Sequence, residues 1–130
     1  MKRLATVLAA LGGAFIIYVG LLYLFTPQRA ASGFGLPSWP QHEGTGFLTV
    51  KGGRDISFGL ITFALLLTGN RKALGWATLA MAVSPLTDML TVLSNHGSTA
   101  TAFGVHGLTA ATVALTALLL LRERPTPADA

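Results

Sequence analysis

Four long apolar stretches limit what this chain can fold into. They cover residues 4–25, 46–69, 73–94 and 101–121. Each is close to the roughly 20 residues that a helix needs to cross a hydrocarbon core about 30 Å thick. The sequence therefore predicts an all-α integral membrane protein, a four-helix transmembrane bundle built from a single domain over residues 1–130.

The composition supports a membrane protein over a soluble one. Apolar residues make up 52% of the chain and charged residues 11%, whereas a soluble domain carries roughly 25% charged residues. The net charge is +4, and the basic residues stand in short clusters between the apolar stretches. That pattern orients membrane helices and is not a phosphate-binding face, so we expect a lipid bilayer as partner and no nucleic acid. The chain has no cysteine, which excludes a thiolate nucleophile.

Basic residues also predict the orientation in the membrane. Three basic pairs flank the stretches: Lys2 and Arg3, Arg71 and Lys72, Arg122 and Arg124. An even number of spans places all three pairs on one side, and the positive-inside rule makes that side the cytoplasm. We expect a multi-pass protein of the cell membrane with both termini cytoplasmic. The first stretch is too long for a cleaved signal peptide, loop 26–45 is expected to form a partly ordered cap, and tail 125–130 is expected to be disordered.

Two stretches have local irregularities. The second is cleanly apolar only over residues 56–68, and it reaches a spanning length only if its helix begins near Gly46. The added part carries the charged residues Lys51, Arg54 and Asp55. In the third stretch, Pro85 is expected to kink the helix by leaving the carbonyl of Met81 without its partner.

Ionisable residues within the stretches share a common depth. At about 1.5 Å per residue, Arg54, Asp55, Asp88 and His106 all lie roughly 8–13 Å below the outer boundary, and Tyr18 lies in the same layer. Each such group at membrane depth costs roughly 2.5–3.5 kcal/mol, so it is normally turned inward and paired. The shared depth predicts that these side chains meet.

This layer is the candidate site. The predicted catalytic residues are Asp88, Asp55, His106 and Arg54, and the predicted substrate-binding residues are Tyr18, Phe58, Trp39, Thr62 and Phe103. A structural alternative is a polar lock in which Arg54 pairs with Asp88 and Asp55 pairs with Lys51. The histidines lack the short spacing of a metal site, so no metal is predicted.

Two functions fit such a layer. The first is an acid–base enzyme, such as an isomerase, a cyclase or an epoxide-opening enzyme, that needs no cofactor and acts on a lipophilic small molecule. Its pocket would open sideways to lipid or upward beneath the loop that carries Trp39. The second is a non-enzymatic membrane module, either a small transporter, a proton-coupled subunit or an accessory subunit, which would form a homo-oligomer to build a pathway.

Several motifs resemble one family. They are Pro27 after the first stretch, segment 31–37, segment 51–60 with Arg54-Asp55 before Gly59, and Asp88 after Pro85. Together they resemble the domain of unknown function 4267 family of small bacterial and fungal membrane proteins, over nearly the whole chain. The resemblance implies a four-helix membrane bundle that is broadly similar to DoxX-like proteins, and it implies no established activity.

Overall fold

The protein is described by a computed structural model over residues 1–123. All regular structure in this part of the chain is helical. The helices are α1 (Lys2–Phe25), α2 (Pro27–Ser32), α3 (Thr45–Leu67), α4 (Arg71–Met81), α5 (Val83–Ser94), α6 (Thr99–Thr101), a π-helix (Ala102–Gly107) and α7 (Leu108–Leu121). A short 3-10 helix (His42–Gly44) precedes α3. The tail 125–130, for which disorder is predicted, lies outside the described residues.

Three helical segments within residues 1–123 are long and apolar enough to cross a membrane. They are Lys2–Phe25, Arg71–Ser94 and Thr99–Leu121. Together they indicate a membrane protein. The remaining long helix, α3, has 23 residues and is not among the three. It carries the charged residues Lys51, Arg54 and Asp55 within an otherwise apolar sequence.

Helix α3 packs along α1 in the antiparallel direction, and glycines make the contact close. α3 begins at Thr45, one residue before the predicted Gly46. A Cβ atom on Gly20 would lie 2.6 Å from the carbonyl oxygen of Gly52, and a Cβ on Gly52 would lie 2.7 Å from the carbonyl of Gly20. Small residues are what let membrane helices approach to backbone contact. The approach places the polar part of α3 beside the outer half of α1.

The other half of the molecule is built from α4, α5 and α7. The helix is interrupted at Ala82, between α4 and α5, three residues before Pro85. Proline has no N–H to donate to the carbonyl four residues earlier, so the interruption confirms the predicted irregularity at Met81. α4 packs against α7, with Gly75 of α4 in close contact with Leu121 of α7.

The two halves are fastened at both ends. At the N-terminal end, the guanidinium of Arg71 donates to both carboxylate oxygens of Glu123 and, over 3.0 Å, to the hydroxyl of Thr6. Beside this clamp, a buried apolar cluster joins α1 to α4 and α7: Ala5, Ala9, Leu74 and Leu120. This end of the bundle is therefore packed shut.

At the opposite end, the segment between α1 and α3 crosses over the bundle. Gln28 organises it, since its amide donates to the carbonyl of Pro40 and the hydroxyl of Thr45, both over 3.0 Å, and accepts the indole N–H of Trp39 at 2.8 Å. The carbonyl of Gly35 accepts the backbone N–H of Ser98 at 2.8 Å. This segment ties the α1–α3 half to the α5–α7 half. We refer to residues 33–41 as the roof.

Candidate functional site

A large cavity lies between the two halves, beneath the roof. Its volume is about 890 Å³, toward the upper end of the range for small-molecule sites, roughly 300–1,000 Å³. It exists because α3 and α5, which face each other across it, do not pack together in the described structure. Along α1 it runs from Leu8 to Thr26, a distance of about 27 Å at 1.5 Å per residue. The cavity is therefore long rather than round.

The cavity opens sideways between α1 and α7. On that side several lining residues are also exposed at the surface: Leu11 (62%), Phe15 (51%), Tyr18 (58%), Val105 (50%) and Leu108 (63%). The lining residues of α3, α4 and α5 are all buried or half-buried. Of the two openings expected from the sequence, exposed lining residues mark the lateral one. Thr26, Arg29 and Gly33 line the cavity at the roof end and are exposed as well, so the roof covers that end only in part. We call the gap between these parts of α1 and α7 the mouth.

Asp88 and His106 face each other in the polar part of the cavity. Oδ2 of Asp88 lies 4.0 Å from Nδ1 of His106. Nε2 of His106 lies 2.8 Å from the carbonyl oxygen of Phe34 in the roof. The Phe34 ring packs against the imidazole with 4.5 Å between ring centroids. The contacts with Phe34 thus hold the imidazole of His106 in place, and its Nδ1 atom points toward Asp88.

The roof contact decides which nitrogen of His106 carries hydrogen. A carbonyl oxygen can only accept a hydrogen bond, so Nε2 must be the donor. In the neutral ring, Nδ1 then has the free lone pair, and that lone pair faces the Asp88 carboxyl group. A separation of 4.0 Å is too long for a direct N–H···O bond. An oxygen atom placed about 2.8 Å from both Oδ2 of Asp88 and Nδ1 of His106 would make an angle near 90° with them. The gap is therefore wide enough for one oxygen atom of a ligand to hydrogen-bond to both side chains.

The second carboxylate is already engaged. Lys51 Nζ lies 2.7 Å from Oδ2 of Asp55, one helical turn away, and the Asp55 side chain is 4% exposed. The same ammonium group lies 4.7 Å from the centre of the Tyr23 ring and 5.9 Å from that of Phe34. Cation–π contact and ion pairing together hold Lys51 in place. Of the two carboxylates that line the cavity, Asp88 is therefore the one with no direct hydrogen bond to another group in residues 1–123.

The part of the cavity nearer the Arg71 end is different in character. It is lined by aliphatic residues of α1 and by threonines of α7, among them Thr109, Thr112 and Thr116. Each of these hydroxyls donates to the carbonyl four residues earlier in its own helix. Because their donors are used, these threonines leave the wall largely apolar. The cavity is thus amphipathic along its length.

The structure brings together most, but not all, of the residues predicted from their depth. The predicted residues that line the cavity are Asp88, Asp55, His106, Tyr18, Phe58 and Thr62. Arg54 is exposed and lies outside the lining, and Asp88 faces His106 instead of forming the Arg54–Asp88 pair of the structural alternative. Trp39 is held in the roof by Gln28. Phe103 is 59% exposed and also lies outside the lining.

Sequence reasoning missed several features of the site. Tyr23, on α1, is 4% exposed and lines the cavity. Its position, five residues after Tyr18, lies about 140° around the helix from it, so the spacing offered no signal. The carbonyl of Phe34 and the π-helix that carries His106 offered none, because both depend on packing between distant segments. Short π-helical segments are frequent at functional sites.

A resident metal has no ligand set in the described part of the chain. Among residues 1–123, no three His, Asp or Glu side chains are arranged to hold a metal ion. Asp88 and His106 supply two groups, and Asp55 is bonded to Lys51. The polar groups present are suited to proton transfer and hydrogen bonding.

The fold and the cavity define a class: a small helical membrane protein with a polar pair inside an amphipathic cavity. Comparison with known proteins then gives the family. The chain belongs to the family of the domain of unknown function DUF4267, whose model matches residues 13–120. No curated protein and no solved structure matches the chain. The matched region includes all the cavity-lining residues except Leu8, Ala9, Leu11 and Gly12 of α1.

Proposed function

We propose that this protein crosses the cell membrane four times and carries out acid–base chemistry on a lipophilic small molecule in its cavity. In this proposal α3 is the fourth span, both termini are cytoplasmic, and the bundle is broadly DoxX-like. The observation that carries the proposal is the Asp88–His106 pair, 4.0 Å apart in a cavity of about 890 Å³ that opens sideways. A laterally open site within a bilayer receives molecules dissolved in lipid.

Four spans are supported by the geometry of α3. Its 23 residues correspond to about 34 Å of helix, enough for a hydrocarbon core about 30 Å thick. Of its charged residues, Asp55 is buried and paired with Lys51 inside the bundle. Intramembrane charges that are turned inward and paired are compatible with spanning. Only Arg54 remains exposed, and its long side chain can extend toward the polar interface.

The proposed chemistry is a proton transfer that leaves the substrate's atom count unchanged. Nδ1 of His106 takes a proton from a substrate carbon, while Asp88 in its acid form gives a proton to a second position of the same molecule. The electron pair moves between the two positions, and the product is an isomer. The proton then passes from His106 back to Asp88. Neither an oxidant nor a cofactor takes part, and each group is used once as acid and once as base.

Binding chemistry is better supported than transport. A transporter needs a polar path that continues to the other side of the membrane. Toward the Arg71 end, the cavity stops at the buried apolar cluster of Ala5, Ala9, Leu74 and Leu120. The charged residues that line the cavity lie in its part nearer the roof, and on α1 the lining ends at Leu8, next to that cluster. The alternative of a transport or accessory subunit that forms a homo-oligomer therefore rests on no specific contact.

Incorporation of solvent deuterium tests the proposal without a known substrate. Vesicles that contain the purified protein and a total lipid extract of the expression host are incubated in D₂O, and the lipids are analysed by high-resolution mass spectrometry. We expect at least one lipophile to gain deuterium with the wild-type protein. Asp88→Asn and His106→Gln are expected to reduce that gain by about 100-fold, within the usual range for a lost general acid or base.

Arg54→Gln is the matched control, because Arg54 is charged, lies on α3 and stays outside the cavity. It should incorporate deuterium like the wild type. The proposal is abandoned if no lipid gains deuterium above the protein-free background. It is equally abandoned if the Asp88 and His106 variants match the wild type.

A further inference from the structure

The shape and polarity of the cavity also indicate which kind of lipophile fits it. We infer that the ligand is a single-chain lipophile with one polar end, which enters through the mouth and extends its chain toward the Arg71 end of the bundle. This inference rests on the proposed function for the polar end of the ligand. The direction of the chain and the point of entry rest on separate observations.

The first observation is the polarity gradient. Groups that can exchange protons or hydrogen bonds with a ligand lie beneath the roof: Asp88, His106, Lys51 and Tyr23. Below them, the threonine hydroxyls of α7 are bonded to their own helix. A molecule with one polar end would satisfy its polar group only in the upper part. Its apolar chain would then occupy the lower part, where the threonine hydroxyls of α7 need no partner from the ligand.

The second observation is the length of the lower part. From Tyr23 to Leu8 the cavity follows fifteen residues of α1, or about 22 Å. A compact, rounded molecule would fill only part of such a slot. An extended hydrocarbon chain would fill its length, and the apolar cluster at Ala9 and Leu120 closes the far end.

The third observation is Gly12, which faces the slot. It lines the cavity, it is exposed, and a Cβ atom placed on it would meet no other atom within 4 Å. Other glycines of α1, such as Gly13 and Gly20, are in tight contact with α3. A side chain at position 12 would therefore enter the space assigned to the ligand chain without disturbing the helix contact.

Photo-cross-linking tests the direction of the chain. The probe is hexadecanol with a diazirine at the terminal carbon, added to phosphatidylcholine vesicles that contain the protein, and the labelled residues are mapped by peptide mass spectrometry. We expect labels at the bottom of the slot, on Leu8, Ala9 and Thr116. Gly12→Phe should reduce that labelling at least tenfold. Gly53→Phe is the matched control, since Gly53 is also exposed with nothing within 4 Å but lies on α3 outside the cavity.

The outcomes separate this inference from the proposed function. Labels found only on outward-facing residues such as Val7 and Leu118 would overturn it, as would labelling that Gly12→Phe leaves unchanged. A second variant, Gly12→Leu, replaces Gly12→Phe if the larger residue prevents assembly. If the slot is labelled as expected but no lipid exchanges deuterium, the ligand geometry stands and the acid–base function fails. If deuterium exchange occurs and the slot is not labelled, the function stands and this inference fails.

Discussion

The two carboxylates of the cavity have different surroundings, and the difference assigns them different roles. Asp55 accepts a 2.7 Å bond from Lys51 and is nearly fully buried. Asp88 faces the lone pair of His106 across a gap that is too wide for a direct bond. Groups whose hydrogen bonds are completed by other groups of the protein usually stabilise the fold. Groups left open toward a cavity are available to a ligand.

This difference predicts opposite effects of the same substitution at the two positions. Asp55→Asn removes the charge that balances Lys51, and we expect it to lower the free energy of unfolding by about 1–3 kcal/mol, reduced from the value for a fully buried pair because Lys51 is partly exposed. Asp88→Asn should change stability little or increase it, because functional groups are often held at the expense of stability. Thermal unfolding of both variants in the same detergent provides the comparison.

Equal destabilisation by the two substitutions would indicate that Asp88 also belongs to a structural lock. That result would remove the main argument for its catalytic role. The double variant Lys51→Met with Asp55→Asn serves as a control. It removes both members of the ion pair, so it should recover part of the stability lost in Asp55→Asn alone.

Depth along a helix could be predicted from the sequence, whereas the direction of a side chain around the helix could be predicted only in part. Arg54 and Asp55 are at the same depth, but successive residues differ by about 100° around the helix axis. Only one of the two can point at Asp88 and His106. The structure turns Asp55 inward and leaves Arg54 exposed. The four-residue spacing of Lys51 and Asp55 already indicated that Asp55 lies on the paired face.

At the scale of elements, the contact between α1 and α3 depends on glycine. Gly20 and Gly52 bring the two backbones together, and α3 positions Lys51 and Asp55 directly beside them. We expect Gly20→Ala to lower the free energy of unfolding by about 1–3 kcal/mol, because the new methyl group would meet a carbonyl oxygen that cannot move away. Thermal unfolding of the variant and of the wild type in the same detergent measures this loss of stability.

Gly12→Ala is the matched substitution on the same helix. Its Cβ meets nothing within 4 Å, and alanine favours the helix by up to about 1 kcal/mol. We expect it to be neutral or slightly stabilising. If both variants lose stability to the same extent, the loss reflects the backbone of α1 in general, and the close contact at Gly20 is not what holds α3 in place.

The elements differ in how much of each could be predicted. Helix starts and the interruption near Pro85 follow from local chemistry, namely a run of apolar residues and a proline without a donor. The roof could be placed only as a cap, because its path depends on Gln28 bonding three groups that are distant in sequence. The π-helix from Ala102 to Gly107 contains His106, whose ring packs against Phe34. No local pattern encodes such a contact.

The whole molecule is asymmetric from end to end. One end is fastened by an ion pair between Arg71 and Glu123 and by a buried apolar cluster. The other end is held by hydrogen bonds to the roof, in which the carbonyls of Gly35 and Phe34 accept from Ser98 and His106. Between them, α1 and α7 separate and leave the mouth. A bundle fastened at its two ends and open along one side is suited to exchanging a chain-like molecule with the surrounding lipid.

The same asymmetry predicts the orientation in the membrane. Lys2, Arg71 and Arg122 lie at the closed end, which the positive-inside rule assigns to the cytoplasm. The turn between α5 and α6 carries no Lys or Arg. Because the chain has no cysteine, single cysteines can be introduced without background. We expect Ser98→Cys to react with a membrane-impermeant maleimide in intact cells, and Lys72→Cys to react only after permeabilisation.

Labelling of a third cysteine variant, His42→Cys, decides whether α3 crosses the membrane. His42→Cys lies before α3 and Lys72→Cys lies after it, so the two must be on opposite faces if α3 crosses the membrane. If α3 instead lay along the surface, both would react in the same way. The polar site would then face the membrane–water interface, and a lipid-soluble substrate could not reach it sideways from the hydrocarbon core. Opposite labelling is therefore required by the four-span topology and by the site together, because the helix that completes the bundle is the one that carries Lys51 and Asp55 into it.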